Sequence, residues 1–159
     1  MGKTKGKVES SGPKSIHNRK ARFEYEIFEE FEAGIVLVGS EVKSLFNGKG
    51  NLTDSYCRVL NSEVWVLQMD IENYTHTSAY QPERRRDRKL LLHRKEIEVI
   101  DRKVREKGYS LIPLDVYFKS GKAKLRFGLG RGKAMHDKRQ TLAEKDSRRE
   151  VERARSGKF

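Results

Sequence analysis

A chain of 159 residues has the length for one domain with a single core. With 35 Lys and Arg against 23 Asp and Glu it carries a formal charge of +12, a balance that points to a polyanionic partner held through counterion release. It has no apolar run long enough to span a membrane, no secretory-type apolar stretch behind its charged N-terminus, and one cysteine, which cannot close an internal disulfide; a cytoplasmic protein without membrane attachment is expected.

The charge is unevenly placed. Residues 1–22 hold seven Lys and Arg and one acid, and residues 131–159 hold ten and five. The stretch between them holds 18 basic and 17 acidic side chains together with most of the apolar ones, so it must supply the core. Residues 1–14 are Lys, Gly, Ser and Thr with little to bury, and disorder is expected there. From Phe23 to Phe31 apolar and acidic residues alternate, the pattern of a half-buried strand. Ala33-Gly34 offers a break before a second, fully apolar strand, Ile35 to Val38. Ser40 fits a helix N-cap with Glu41 in the first turn, the helix running to about Phe46 and closing at Asn47-Gly48.

Two hairpins are expected. Residues 55–60 and 63–71 flank Asn61-Ser62, and residues 109–119 and 122–129 flank Ser120-Gly121. A two-residue loop in the second sets Lys119 opposite Lys122, Tyr117 opposite Lys124 and Asp115 opposite Arg126. Val116, Phe118, Ala123, Leu125 and Phe127 then face the core, and the other side is basic with one aromatic in it. Between the hairpins Ile97, Ile100 and Val104 recur at helical spacing, with Glu98–Arg102 and Asp101–Arg105 as supporting pairs and Gly108 as the stop. About six strands with short helices imply a small closed barrel capped by helices.

Gly128-Leu-Gly-Arg-Gly-Lys133 lacks the glycine, serine or threonine positions of both phosphate-loop templates and reads as a flexible hinge. The tail beyond it is helix-prone but has only Met135, Leu142, Val151 and Phe159 as sizeable apolar groups, too sparse for a stripe. Disorder that becomes helix on a polyanion is expected. The histidines at 17, 76, 93 and 136 have no metal-site spacing, no cofactor is expected, and Cys57 reads as a strand thiol. His136, in a basic stretch, has a ring able to stack on a base. Glu24, Glu26, Glu29, Glu30, Glu32 and Glu41 form either a solvated face or a carboxylate site, which keeps a metal-dependent nuclease as a rival reading. Seven basic groups between Arg84 and Lys95 suggest part of an extended basic surface.

Five segments then carry a family resemblance: Asn18-Arg-Lys-Ala-Arg22, Phe31-Glu-Ala-Gly34 leading to Glu41-Val-Lys-Ser-Leu45, Asp54-Ser-Tyr56, Arg88-Lys-Leu-Leu-Leu-His93, and His136-Asp-Lys-Arg139. In this order over residues 16–155 the chain resembles the SsrA-binding protein (small protein B) family. The resemblance implies a monomeric, non-enzymatic adaptor whose oligonucleotide-binding-type barrel, residues 16–130, holds the tRNA-like part of transfer-messenger RNA. It implies that the tail, residues 131–159, enters the decoding centre and empty messenger channel of the small subunit of a stalled 70S ribosome. Asn18, Glu32 and Leu91 are then expected at the RNA surface, with Arg19, Lys20, Arg22, Lys43, Lys49, Lys89, Lys119, Lys122, Lys124 and Arg126 as its basic groups. In the tail His136 is expected to stack on a ribosomal RNA base. Lys133, Asp137, Lys138, Arg139, Arg148, Arg149 and Arg153 are expected to anchor it. Phe46 and Ala134-Met135 depart from the more basic family pattern. A general single-strand binder of the same barrel type is the alternative, and it calls for exposed aromatics, of which only Tyr117 is placed by the register above.

Overall fold

The hairpin turns set the architecture. In the computed structural model, which describes residues 12–76 and 80–157, Asn61 and Ser62 both take positive φ, as do Ser120 and Gly121. Two left-handed residues in a two-residue loop match the twist of the strands they join. The first turn links β4 (Tyr56–Leu60) to β5 (Glu63–Leu67), and the second links β8 (Ser110–Lys119) to β9 (Lys122–Gly132). With β2 (Tyr25–Ile35) and β7 (Arg88–Leu91) they form a six-strand ring in the order β8-β4-β5-β7-β2-β9, closed by β9 pairing back on β8. Closure leaves the ring no free edge. β1 (Ile16–His17) adds to β8 outside it, and β3 (Gly50–Asn51) pairs with β6 (Asp70–Ile71). The expected pairing of Lys119, Tyr117 and Asp115 with Lys122, Lys124 and Arg126 is present. Val116, Leu125 and Phe127 are buried inside, with Ala123 and the partly buried Phe118 beside them.

Four helices complete the chain: α1 (Ala21–Glu24), α2 (Gly39–Phe46), α3 (Arg94–Lys107) and α4 (Met135–Ser156). α3 buries Ile100 and packs Ile97 and Val104 on the core, and it stops at Gly108 in the left-handed region. Its Asp101–Arg105 pair is present, whereas Glu98 pairs with Arg94 rather than Arg102. The tail adopts the helical one of its two expected states, and none of its described side chains is buried. No helix among the described residues is long and apolar enough to cross a membrane.

Several expectations need correction. Residues 1–11, most of the segment expected to be disordered, lie outside the described residues, and Lys14 is already tied to the end of α2 by its N–H to the Phe46 carbonyl at 3.2 Å. Phe23 belongs to α1, so the strand begins at Tyr25. It also runs straight through Ala33-Gly34, because Gly34 pairs with both Leu91 and Lys124. Val36 lies outside any strand and is 44% exposed, so the apolar run is a lead into α2 and not a second strand. The α2 N-cap is Val38, and the Glu41 carboxylate accepts its N–H at 3.1 Å; Ser40 is inside the helix. Gln68, at positive φ, ends β5 and turns the chain, so residues 63–71 form two strands.

The expected hinge at 128–133 is strand as far as Gly132. A side chain at Gly130 would place its Cβ 2.1 Å from the Glu26 carbonyl oxygen, so glycine there permits close strand approach and not flexibility.

Candidate nucleic-acid interface

Strand pairing brings several expected residues into rows. Leu91 on β7 lies beside Gly34 on β2, Gly34 beside Lys124 on β9, and Lys124 beside Tyr117 on β8. The next row runs Glu32, Arg126, Asp115 and, through β1, His17. Gly34 has no side chain to fill the row, and Leu91 lies against that space, 55% exposed. One face of the ring thus presents an apolar wall and a set of cations that strand geometry holds in place.

The carboxylates on this face orient its cations. Glu32 accepts from the Tyr117 hydroxyl and from Lys119 Nζ at 3.3 Å. The hydroxyl is the main reason the Glu32 carboxyl titrates below its ordinary value; partial burial opposes it, and Lys119 and Lys124 add to it. Asp115 sits between His17 Nδ1 at 2.6 Å and Arg126 at 3.4 Å, and the Arg126 guanidinium lies 5.2 Å from the Tyr117 ring centroid. Lys122 is exposed at the hairpin tip opposite Lys119. Fixed cations at strand spacing suit a phosphate backbone more than a small ligand. Tyr117, Asp115 and His17 were absent from the expected site. The hairpin register carried the signal for the first two; nothing local marked His17.

Asn18 follows β1 and donates from Nδ2 to the Pro113 carbonyl at 2.9 Å, while its buried Oδ1 has no partner among the described residues. It lines a cleft of about 680 Å³ with Lys20, between α1 and the place where β4 meets β8. Arg19 is exposed in the turn before α1, and Arg22 pairs with Glu30 on β2. Lys43 and Lys49 are exposed away from these rows, Lys43 on α2 with its Nζ 5.5 Å from the Tyr74 ring centroid and Lys49 just past that helix. Lys89 is half-buried and paired with Glu63 at 2.9 Å.

Within the basic run 84–95, the cations of residues 84–89 are paired with acids from elsewhere in the fold, whereas Arg94 and Lys95 stay exposed at the start of α3. Arg84 pairs with Asp70 at 2.9 Å, Arg85 with Asp54 at 3.4 Å, and Arg86 with Glu41. Arg88 is 0% exposed; it donates from Nε to Glu41 at 2.7 Å and from its terminal nitrogens to the carbonyls of Met69, Arg86 and Arg84. Burial pushes the Arg88 pKa down, against the support of Glu41. Burial would raise the Glu41 carboxyl, but Arg86, the Val38 N–H and Arg88 together hold it below its ordinary value. The glutamates are likewise distributed and do not form a site: Glu29 pairs with Lys103, Glu30 with Arg22, Glu32 with Lys119 and Glu41 with two arginines.

Tyr117 does not serve as an open stacking surface, being half-buried with its hydroxyl on Glu32. Among the described residues the exposed aromatics are Phe28, Phe46, Tyr56 and Tyr80, and Phe46 is held edge-on to Phe118 at 5.7 Å.

The tail starts from a fixed root. The Lys133 N–H donates to the Glu24 carbonyl at 2.8 Å and its Nζ reaches Thr141 Oγ1 at 3.1 Å. His136, Asp137 and Arg139 lie exposed in the first turns of α4, with Lys138 partly covered, and Arg148, Arg149 and Arg153 are exposed farther along. Lys145 Nζ lies 6.0 Å from the Phe23 ring centroid and leans the helix on α1.

Comparison with known proteins bears on the family and the fold. A curated SsrA-binding protein of Desulforudis audaxviator is 50% identical over 141 residues, covering 89% of this chain and 92% of that one. The SsrA-binding protein of Halalkalibacterium halodurans is 47% identical over 154 residues, covering 97% and 96%. A solved structure described as "tmRNA-SmpB: a journey to the center of the bacterial ribosome" superposes with a TM-score of 0.65 at 42% identity, over 80% of this chain and 94% of that one. The family model described as SmpB protein matches residues 15–157, and the chain belongs to the SmpB protein family.

Proposed function

We propose that this protein binds the tRNA-like part of transfer-messenger RNA through the four-strand face and accompanies it to stalled ribosomes for trans-translation. The observation that carries this reading is the pair of rows joining Leu91, Lys124, Glu32 and Arg126 across neighbouring strands of a closed ring. The family membership supports it, since the curated relatives are named for binding SsrA and the similar solved structure couples tmRNA with the bacterial ribosome. Lys119, Lys122, Lys124 and Arg126 contact RNA phosphates, Leu91 packs on a sugar or base, and Glu32 holds Tyr117 and Lys119 in place. Asn18, Arg19, Lys20 and Arg22 extend the surface past β1. The protein acts by docking and performs no bond chemistry of its own. α4 is the part that enters the decoding centre and messenger channel, with His136 stacked on a ribosomal RNA base and Asp137, Lys138, Arg139 and the later arginines anchoring it.

The test separates barrel from tail. Because β9 runs to Gly132 and the Lys133 N–H is bonded to Glu24, a chain ending after Ala134 keeps the whole ring. It is expected to bind transfer-messenger RNA near normally, with log K falling against log[salt] at a slope of roughly −4 to −5 for about six phosphate contacts. It is expected to fail in peptide tagging on stalled ribosomes. A flat salt dependence overturns the phosphate face, and full tagging by the shortened chain overturns the role of the tail.

A further inference from the structure

Phe28 is placed by an irregularity. The pairing of β2 with β9 shifts register between Ile27 and Glu29, so Phe28 is the extra residue of a bulge. Bulges re-aim a side chain, and this one sends a phenylalanine outward, 46% exposed. It is not among the residues that form the core or pack against it.

Around it stands a ladder drawn from two other places in the chain. Tyr109 stacks on Phe28 with ring centroids 5.1 Å apart and planes 30° from parallel. The Arg131 guanidinium lies 5.5 Å from the Phe28 centroid, and Lys107 Nζ lies 5.9 Å from that of Tyr109. Two carboxylates are nearby, and each already faces a cation: Glu26 approaches Arg131 at 3.8 Å, and Glu29 pairs with Lys103. The Glu26 contact is loose and Arg131 is largely exposed, so its guanidinium is free to turn to a phosphate.

We propose that the ladder Arg131–Phe28–Tyr109–Lys107 is a stacking site for one unpaired RNA base, separate from the four-strand face. Aromatic rings interleaved with cations are what a single-stranded nucleotide needs: a π surface for the base and positive charge for its phosphates. The site stands roughly 20 Å from Gly34, six residues along β2 at about 3.3 Å each. It also lies at the root of the tail, Arg131 being four residues before α4 begins, so an RNA met by the tail passes it. The inference rests on the RNA-binding function proposed above. The base comes either from transfer-messenger RNA or from ribosomal RNA, which offer the same chemistry.

The experiment titrates the full-length protein with transfer-messenger RNA in one arm and with 70S ribosomes in the other. Phe28→Leu keeps apolar bulk and loses the π surface; Phe28→Trp restores and enlarges it. Phe28→Leu is expected to weaken binding roughly 5- to 150-fold in one arm only, the span of one stacked base. Phe28→Trp is expected to bind at least as well as wild type, its added fluorescence quenched by the RNA of that same arm. The affected arm names the source of the base. Equal binding by wild type and Phe28→Leu in both arms, with matching melting curves, overturns the stacking site and leaves the four-strand face intact. Failure of wild type to bind in either arm overturns the function on which it rests.

Discussion

Two segments of this protein are rich in cations and use them in opposite ways. Between Arg84 and Lys89 the positive groups pair with Asp70, Asp54, Glu41 and Glu63, and Arg88 is wholly enclosed. Along α4 the side chains stand in solvent and touch the barrel through little more than Lys145 over Phe23 and the root at Lys133. In the first segment charge is internal scaffolding that ties β7, α2 and the β6 region together. In the second it is available to a partner. Density of Lys and Arg along a chain therefore says nothing about availability, because the acids that neutralise a run sit 14 to 47 residues away and only the fold brings them near.

The contrast is broken most forcefully at Glu41. Glu41→Gln leaves the buried Arg88 without its counter-charge and is expected to cost about 3–5 kcal/mol in urea denaturation, whereas Arg149→Glu in α4 is expected to leave the unfolding midpoint unchanged. The same group predicts an acid dependence. Its folded pKa lies below the unfolded value of 4.5, so its stabilisation is complete above that pH and is lost as the pH falls through the lower folded value. A denaturation series from pH 6 to pH 3 is expected to show wild type losing stability below about pH 4.5, and Glu41→Gln losing less over the same range. Equal pH profiles for the two chains would mean that the ion pair adds nothing.

A smaller effect sharpens the contrast on the side of available charge. Changing Lys122, Lys124 and Arg126 together to Glu is expected to flatten the salt slope of transfer-messenger RNA binding by about 2 to 3, each phosphate contact contributing roughly 0.7–0.9. Circular dichroism is expected to stay unchanged, since none of the three faces the core. Changing Arg84 and Arg85 instead is expected to leave the slope alone. Smallest is His136→Ala, expected to cost about 1–3 kcal/mol at the ribosome, one stacking contact, and nothing in binding to the free RNA.

What the sequence made legible was whatever is decided within a dozen residues. The β8–β9 hairpin could be read because a two-residue turn and strict alternation together fix both register and face. The middle helix could be read because Ile97, Ile100 and Val104 repeat and Gly108 ends it. The misreadings share a cause in long-range contact. Gly34 resembles a break until Leu91 and Lys124 flank it, and Gly128 to Gly132 resembles a hinge until β2 presses the Glu26 carbonyl against Gly130. Within the interface, Lys124, Arg126 and their neighbours followed from register. The assignment of Glu32, Leu91 and Asn18 came from family resemblance, because β2 meets β9, β7 meets β2 and β1 meets β8 only in the folded protein.

The ring is also unequal around its circumference. β2 and β9 are paired over most of their length, as are β8 and β9, but β4 meets β8 through the single pair Cys57–Leu111. A cylinder opens first at its thinnest weld, and the next thinnest, β2 on β7, is held by two pairs. Local opening is therefore expected to begin between β4 and β8, where Cys57 is buried and its thiol pKa is pushed far up by burial. Amide protons of Cys57 and its β8 neighbours would exchange with solvent before those of Phe31 or Phe127, and a thiol reagent would label Cys57 at the rate of that opening, well ahead of global unfolding. The barrel would then behave as a hinged sleeve whose hairpin β4–β5 swings on β7, while the three long strands that carry the proposed RNA face remain shut.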